Sequence, residues 1–304
     1  MLGISSKYIF IFLDGVGLGD RSPDNPFAQD AITPFLIELL GAPLLAGLEV
    51  YRPNLLLKPI DASLGVPGLP QSATGQTALY TGRNAPEFLG RHQTGFANGS
   101  LRILIEESGL FKQVLALDKT ATHANLYSPA YFEAIAQRRL RYSVGTLLNL
   151  TANLPFRMQT DYAQGQAIYW DITGDLAHYR GIDAPPINPQ EAGRRLAALG
   201  SGYTVTLFEC YLPDFAGHSQ DMNQAVQILQ RIDTFLKSVV SNLPTEITLI
   251  VSSDHGNVED LSTKRHTLNA APLLAIGPNA WLFKPVENIT GITPKILELI
   301  QLSS

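Results

Sequence analysis

Apolar positions along this chain cluster into short runs that alternate with longer, periodically amphipathic stretches. "YIFIFLD" at 8–14 is apolar at nearly every position, the pattern of a strand covered on both faces. "YTVTLFECYL" at 203–212, "TEITLIVSS" at 245–253 and "PLLAIG" at 272–277 read the same way, and so does "VLALDK" at 114–119. Between them lie helical patterns. One covers about 33–40, with Thr33 as cap and Pro34 at its first position. "TALYTG" at 77–82 fits a helix closed by Gly82, and "PQEAGRRLAAL" at 189–199 is another. A long one at 222–243 places Val226, Leu229, Ile232 and Leu236 on one face, and "ITPKILELI" near the end is the last.

Strands alternating with helices predict an α/β fold: a mainly parallel sheet sandwiched by helices. The pattern weakens between about 86 and 190, where aromatics, Gln, Arg and Pro gather. The expected organisation is therefore a core of 1–85 and 196–304 with a smaller inserted cap of 86–195 that sets substrate specificity.

Composition narrows the function. The 304 residues are 45% hydrophobic and 16% charged, with net charge −5, which gives no electrostatic reason to expect nucleic acid or a membrane surface as partner. No apolar run approaches the roughly 20 residues of a membrane span. The N-terminal apolar core "YIFIFL" ends in Asp14 without a small-residue cleavage site, so a strand is preferred to a signal peptide. The single cysteine, Cys210, sits in an apolar run, and a lone buried thiol fits a reducing compartment. A cytoplasmic protein is expected. Its oligomeric state is not indicated.

The chemistry concentrates where strands run out. Asp14 ends the first strand, Asp214 and His218 follow "FECYLP", Asp254 and His255 follow "LIVSS", and His266 stands in "KRHTLNAAP". Ligands of such sheets bind outside the carboxyl ends of the strands. Clustered acids and histidines there, with few Lys or Arg nearby, call for divalent cations as countercharge. Adjacent Asp254 and His255 meet one target only if the backbone turns, a freedom expected from Gly256. "PQSATGQTALYTGR" at 70–83 offers Ser72, with Thr74, just before a helix whose free N–H groups favour phosphate. Ser72 is the candidate nucleophile, although a helix cap explains the residue locally. Arg83, Arg91 and His92 follow that helix and suit phosphate binding, and His123 with Asn125 fits the cap side of the cleft. "RRLR" at 138–141 reads as a solvated face, and Tyr169 and Trp170 as cap core.

These pieces, "FLDGVG", "SATGQTALYTGR", "PDFAGHSQD", "SSDHGN" and "HTLNAAP", resemble the alkaline phosphatase superfamily, in the branch of cofactor-independent phosphoglycerate mutase and phosphopentomutase. The resemblance spans 1–83 and 200–304. It implies an alkaline phosphatase-like core, with Ser72 as the phosphorylated nucleophile and metal ligand. It also implies two metal sites, one held with Ser72 by Asp14, Asp254 and His255, the other by Asp214, His218 and His266. Manganese is the expected metal and zinc the alternative. Relatives commonly carry His where this chain has Gln76, and 84–195 match neither enzyme. The implied activity is phosphoryl transfer through a phosphoserine on a small phosphorylated metabolite, as phosphomutase or phosphatase. Phosphodiester or phosphonate hydrolysis and a non-catalytic role are the alternatives. The modified Cys or Ser motif of sulfatases is not found.

Overall fold

A computed structural model describes residues 6–29 and 32–303. Seven strands, β1 (Lys7–Leu13), β2 (Val50–Arg52), β3 (Leu55–Ile60), β4 (Ala121–His123), β5 (Val205–Cys210), β6 (Ile247–Ser252) and β7 (Ala271–Ile276), form one sheet in the order β2-β3-β7-β6-β1-β5-β4. The run β4-β5-β1-β6 is parallel, and β7, β3 and β2 extend it antiparallel. The α/β architecture thus holds, with a parallel centre and an antiparallel flank.

The sandwich follows from the alternation of β1. Tyr8, Phe10 and Phe12 enter one apolar cluster with Leu79, Leu101 and Ile296. Ile9, Ile11 and Leu13 enter the other with Leu36, Leu196 and Leu229. Successive side chains point to opposite faces, so both faces need a helical cover. Helices Ser72–Thr81, Gly99–Ser108 and Ile292–Leu302 supply one, and Pro34–Leu40, Pro189–Gly200 and Met222–Ser241 the other. Along Met222–Ser241, Leu229, Ile232 and Leu236 are buried as the periodicity predicts.

Two expectations are corrected. Thr33 stands at the cap position of helix Pro34–Leu40, but its side chain makes no capping bond. The Asp233 carboxylate, reaching over from the long helix, accepts from Phe35 N and Leu36 N, both at 2.9 Å. Residues 114–119 are not a strand: Leu110–Ala116 is a helix burying Leu110, Phe111 and Val114. That spacing is helical, and a short apolar run alone does not separate the two states. The strand comes later, as β4.

The stretch 86–195 is divided. Its β4 lies in the sheet, and Leu101, Phe111 and Leu148 share the cluster of β1. Only a third, smaller cluster, with Leu126, Tyr162, Tyr169 and Ile182, is built from this stretch alone.

Candidate metal centre

β1 lies between β5 and β6, parallel to both, so three carboxyl ends sit side by side. Asp14 follows β1, helix Leu212–Ser219 follows β5 carrying Asp214 and His218, and Asp254 and His255 follow β6. Ser72 is the first residue of its helix, with Gln71 at the cap position. A Cβ on Gly75 would come within 2.9 Å of the Asp254 Cβ and carbonyl oxygen, so glycine lets that helix lie directly on Asp254. Gly256 also serves by absence of a side chain, not by a left-handed turn: a Cβ there would strike Glu259 and the Thr267 hydroxyl.

The seven residues singled out in the sequence meet. His255 Nε2 stands 3.0 Å from Ser72 Oγ, 3.4 Å from Asp14 Oδ1 and 3.6 Å from Asp254 Oδ2. His266 Nε2 is 3.6 Å from Asp214 Oδ1, and its ring stacks on His255 at 3.7 Å. Two groups of donor atoms, Asp14–Asp254–His255 and Asp214–His255–His266, each lie within 4.8 Å of one another. His218 reaches Asp214 Oδ2 at 3.3 Å from the rim, with about half its side chain exposed (47%).

Proton placement decides what this cluster suits. His266 Nδ1 donates to the Pro70 carbonyl and His218 Nδ1 to the Lys264 carbonyl, each at 2.8 Å. His255 Nδ1 faces the Gly256 carbonyl at 3.4 Å. With Nδ1 protonated, each neutral ring turns its Nε2 lone pair inward. Burial first, and the neighbouring His266 second, hold His255 well below the usual imidazole range, and burial lowers His266. Neutral lone pairs therefore face carboxylates. Burial also pushes Asp14 far up, with Asp254 and Asp214 adding repulsion. Asp254 rises from 3.8 to about 8 through burial and then Asp214. Asp14 Oδ1 and Asp254 Oδ1 are buried without a hydrogen-bond partner. Inward lone pairs, orphaned carboxylate oxygens and a backbone carbonyl behind each imidazole are the donor set and support that divalent cations require.

Further residues support the centre, and of these the sequence singles out only Gln76. The buried Glu259 carboxylate accepts from Gly17 N at 2.9 Å and Asn257 N at 2.8 Å, and from the Thr267 and Asn269 side chains. It ties together the loops that carry Asp14, His255 and His266. Asn257 Nδ2 donates to Asp214 Oδ1 at 2.7 Å, and Gln76 Nε2 to Asp254 Oδ2 at 3.3 Å. For Glu259, Asn257, Thr267 and Asn269 the signal is a density of polar residues inside "DHGNVED" and "HTLN".

The expected phosphate-side residues lie further out. Arg83 follows the far end of the ten-residue helix that begins at Ser72, about 15 Å away along its axis. Arg91 is exposed, and His92 Nε2 is 3.2 Å from the Val66 carbonyl. Both lead into Gln93, whose N–H donates to Thr74 Oγ1 beside Ser72. His123 is buried 3.3 Å from Glu209, which also accepts from the Tyr80 and Tyr211 hydroxyls. Burial alone would raise Glu209, but His123 and the two tyrosines outweigh it and leave it lowered. Asn125 bonds the Glu209 main chain through both ends of its amide.

Fold and site together define an α/β enzyme scaffold whose strand ends carry a candidate divalent-metal centre. Residues 188–304 match the family model of the Metalloenzyme superfamily. The 2,3-bisphosphoglycerate-independent phosphoglycerate mutase of Ruegeria pomeroyi is 27% identical over 122 residues, 38% of this chain and 24% of the mutase. The match thus spans about a quarter of that relative's length. Among solved structures, an alkaline phosphatase from the Antarctic bacterium TAB5 superposes with a TM-score of 0.55 at 15% identity, covering 99% of each chain. A Leishmania mexicana phosphoglycerate mutase gives 0.51 at 12%, covering 97% of this chain and 95% of its own. The C-terminal stretch 188–304 is thus similar to the Metalloenzyme superfamily, and the fold is shared with alkaline phosphatases and phosphoglycerate mutases. Among the described residues, no helix is long and apolar enough to cross a membrane.

Proposed function

We propose that this protein is a metal-dependent phosphoryl-transfer enzyme that acts on a small phosphomonoester through a phosphoserine at Ser72. The observation that carries the reading is the Ser72 hydroxyl at 3.0 Å from His255 Nε2, at the head of a helix and beside two acid–histidine groups. Asp14, Asp254 and His255 would hold one cation with Ser72, and Asp214, His218 and His266 a second, manganese before zinc. Bound there, such cations supply charge that neutralises the carboxylates, lowers the serine pKa and draws charge from the phosphoryl oxygens.

The chain's own residues do the rest. The first N–H groups of helix 72–81, at Ser72 and Ala73, would face the phosphoryl oxygens. Arg91, in the loop anchored on Thr74, is the cation that can swing over them. Ser72 Oγ forms a bond to phosphorus as the ester P–O bond breaks, the serine proton passing through water to the departing ester oxygen, which leaves as the alcohol. Water then takes the phosphoryl group in a phosphatase, or a second hydroxyl of the same substrate takes it in a mutase. The mutase outcome needs a cover that keeps water out, and the 86–195 stretch, which builds an apolar cluster of its own around Tyr162 and Tyr169, would give one.

Ser72→Ala should abolish turnover while elemental analysis still finds metal, and mass spectrometry of the native protein caught during turnover should place phosphate on the peptide containing Ser72. Undiminished turnover in the variant would overturn the assignment.

A further inference from the structure

Beside the centre, at the carboxyl end of β5, opens a cavity of about 460 Å³. Its position ties it to the proposed chemistry on two sides. Phe215 lines it and directly follows Asp214 in helix Leu212–Ser219. Phe96 lines it from the loop whose Gln93 is bonded to Thr74, two residues after Ser72. Its floor is Tyr211 and Glu209, next to the Cys210 carbonyl that accepts from Asp14 N. A substrate with its phosphoryl group at Ser72 has this space for its remaining part.

The lining is specific in kind. Aromatic rings dominate: Tyr127, Tyr131, Trp170, Tyr211 and Phe215. Phe96, Leu140 and Phe215 stand at the cavity with 41%, 42% and 55% of their surfaces exposed, an apolar mouth that water covers poorly. Set among the rings is a hydroxyl relay, with Thr146 Oγ1 at 3.1 Å from Tyr127 OH, 3.0 Å from Tyr131 OH and 2.8 Å from Ser143 Oγ. Arg141 and Arg180 are its cationic members, and Arg180 is already laid over the Trp170 ring at 5.5 Å. A compact sugar-acid phosphate would leave this aromatic surface wet. The volume lies within the range of sites that enclose a drug-sized ligand, roughly 300–1,000 Å³.

We infer that the leaving group of the substrate carries a planar aromatic ring, as in an aryl phosphate or a nucleoside monophosphate, with the ring held in this cavity and its polar substituents on the hydroxyl relay. The inference rests on the phosphoryl-transfer reading for the placement of the phosphate, but the cavity can be tested without it.

Turnover of phenyl phosphate, adenosine monophosphate and glycerol phosphate by the manganese-loaded enzyme gives the first test. An aromatic ester should exceed glycerol phosphate in kcat/KM by about tenfold or more, the effect of one well-packed ring. Phe215→Ala, at an exposed position, should collapse that ratio by about three- to tenfold. Preference between the two aromatic esters separates a bare aryl group from a nucleoside. Binding gives the second test. The chain has two tryptophans, so Trp281→Phe leaves Trp170 as the sole tryptophan, excited selectively at the red edge of indole absorption. Adenosine or phenol should quench it saturably and glycerol should not, with weaker binding after Phe215→Ala. Glycerol phosphate turned over as well as the aromatic esters would overturn the aromatic leaving group and leave phosphoryl transfer standing. Saturable quenching with no ester turned over would do the reverse.

Discussion

Replacing Asp254 by asparagine should stabilise the protein stripped of metal and destabilise it relative to wild type once metal is present. Folding raises the Asp254 carboxyl from 3.8 to about 8, chiefly by burial. For a carboxylate raised in this way the sign is adverse. The cost is absent below the unfolded value, grows as pH rises past it, and is complete above about pH 8. Four units at about 1.4 kcal/mol each set a ceiling of roughly 5–6 kcal/mol. Asp14 shares the burden and the site relaxes, so about half, ~2–3 kcal/mol, is the working figure. Asparagine keeps the shape, removes the charge and can still accept from Gln76 Nε2. In chelator at pH 8, Asp254→Asn should therefore melt about 5 °C above wild type. Manganese at a thousandfold excess over Kd should add about 4.1 kcal/mol to wild type, and far less to the variant, reversing the order. The chelator difference should shrink towards pH 4. A variant that melts below wild type in chelator at pH 8, yet gains as much from manganese, would refute the reasoning.

Other outcomes follow from the same geometry. Metal affinity should rise with pH up to about 8 and level off above, because the Asp254 proton must leave on binding; calorimetry in buffers of different ionisation enthalpy counts the protons released. Gly75→Ala places a methyl group 2.9 Å from Asp254, so turnover should fall sharply and stability by about 1–3 kcal/mol, measured by denaturant unfolding of the metal-loaded enzyme. Asp233→Ala should cost about 1–2 kcal/mol by removing two bonds to the start of helix Pro34–Leu40, whereas Thr33→Ser should be nearly neutral in the same assay.

The parallel centre of the sheet was legible because β1, β5 and β6 are buried on both faces and must be apolar throughout. The flank was not. "VYRPNLLLKPI" holds a proline within β3, where Pro59 pairs with Pro272, and proline argues against a strand wherever the register is unknown. β4 has three residues, too few to show a period. The acids and histidines of the centre were visible because side-chain chemistry is written in residue type. The carbonyls of Pro70 and Lys264 that fix two imidazoles were not, since any residue offers a carbonyl and only the fold aims it. Glu209 with His123, and Glu259 with Gly17, likewise join positions that only the sheet brings together.

His255 stands within reach of both acid–histidine groups, yet a neutral imidazole nitrogen has one lone pair to give, and its Nε2 lies 3.0 Å from Ser72 Oγ and 3.4 Å from Asp14 Oδ1. The two cation positions are therefore unequal. With that nitrogen given to the cation at Ser72, the other position rests on Asp214, the buried His266 and a rim histidine half in solvent and tethered through its other nitrogen. Loading should proceed in order, a tight ion first and a more exchangeable one after it, so the concentration of free metal around the protein would itself set how much of it is competent.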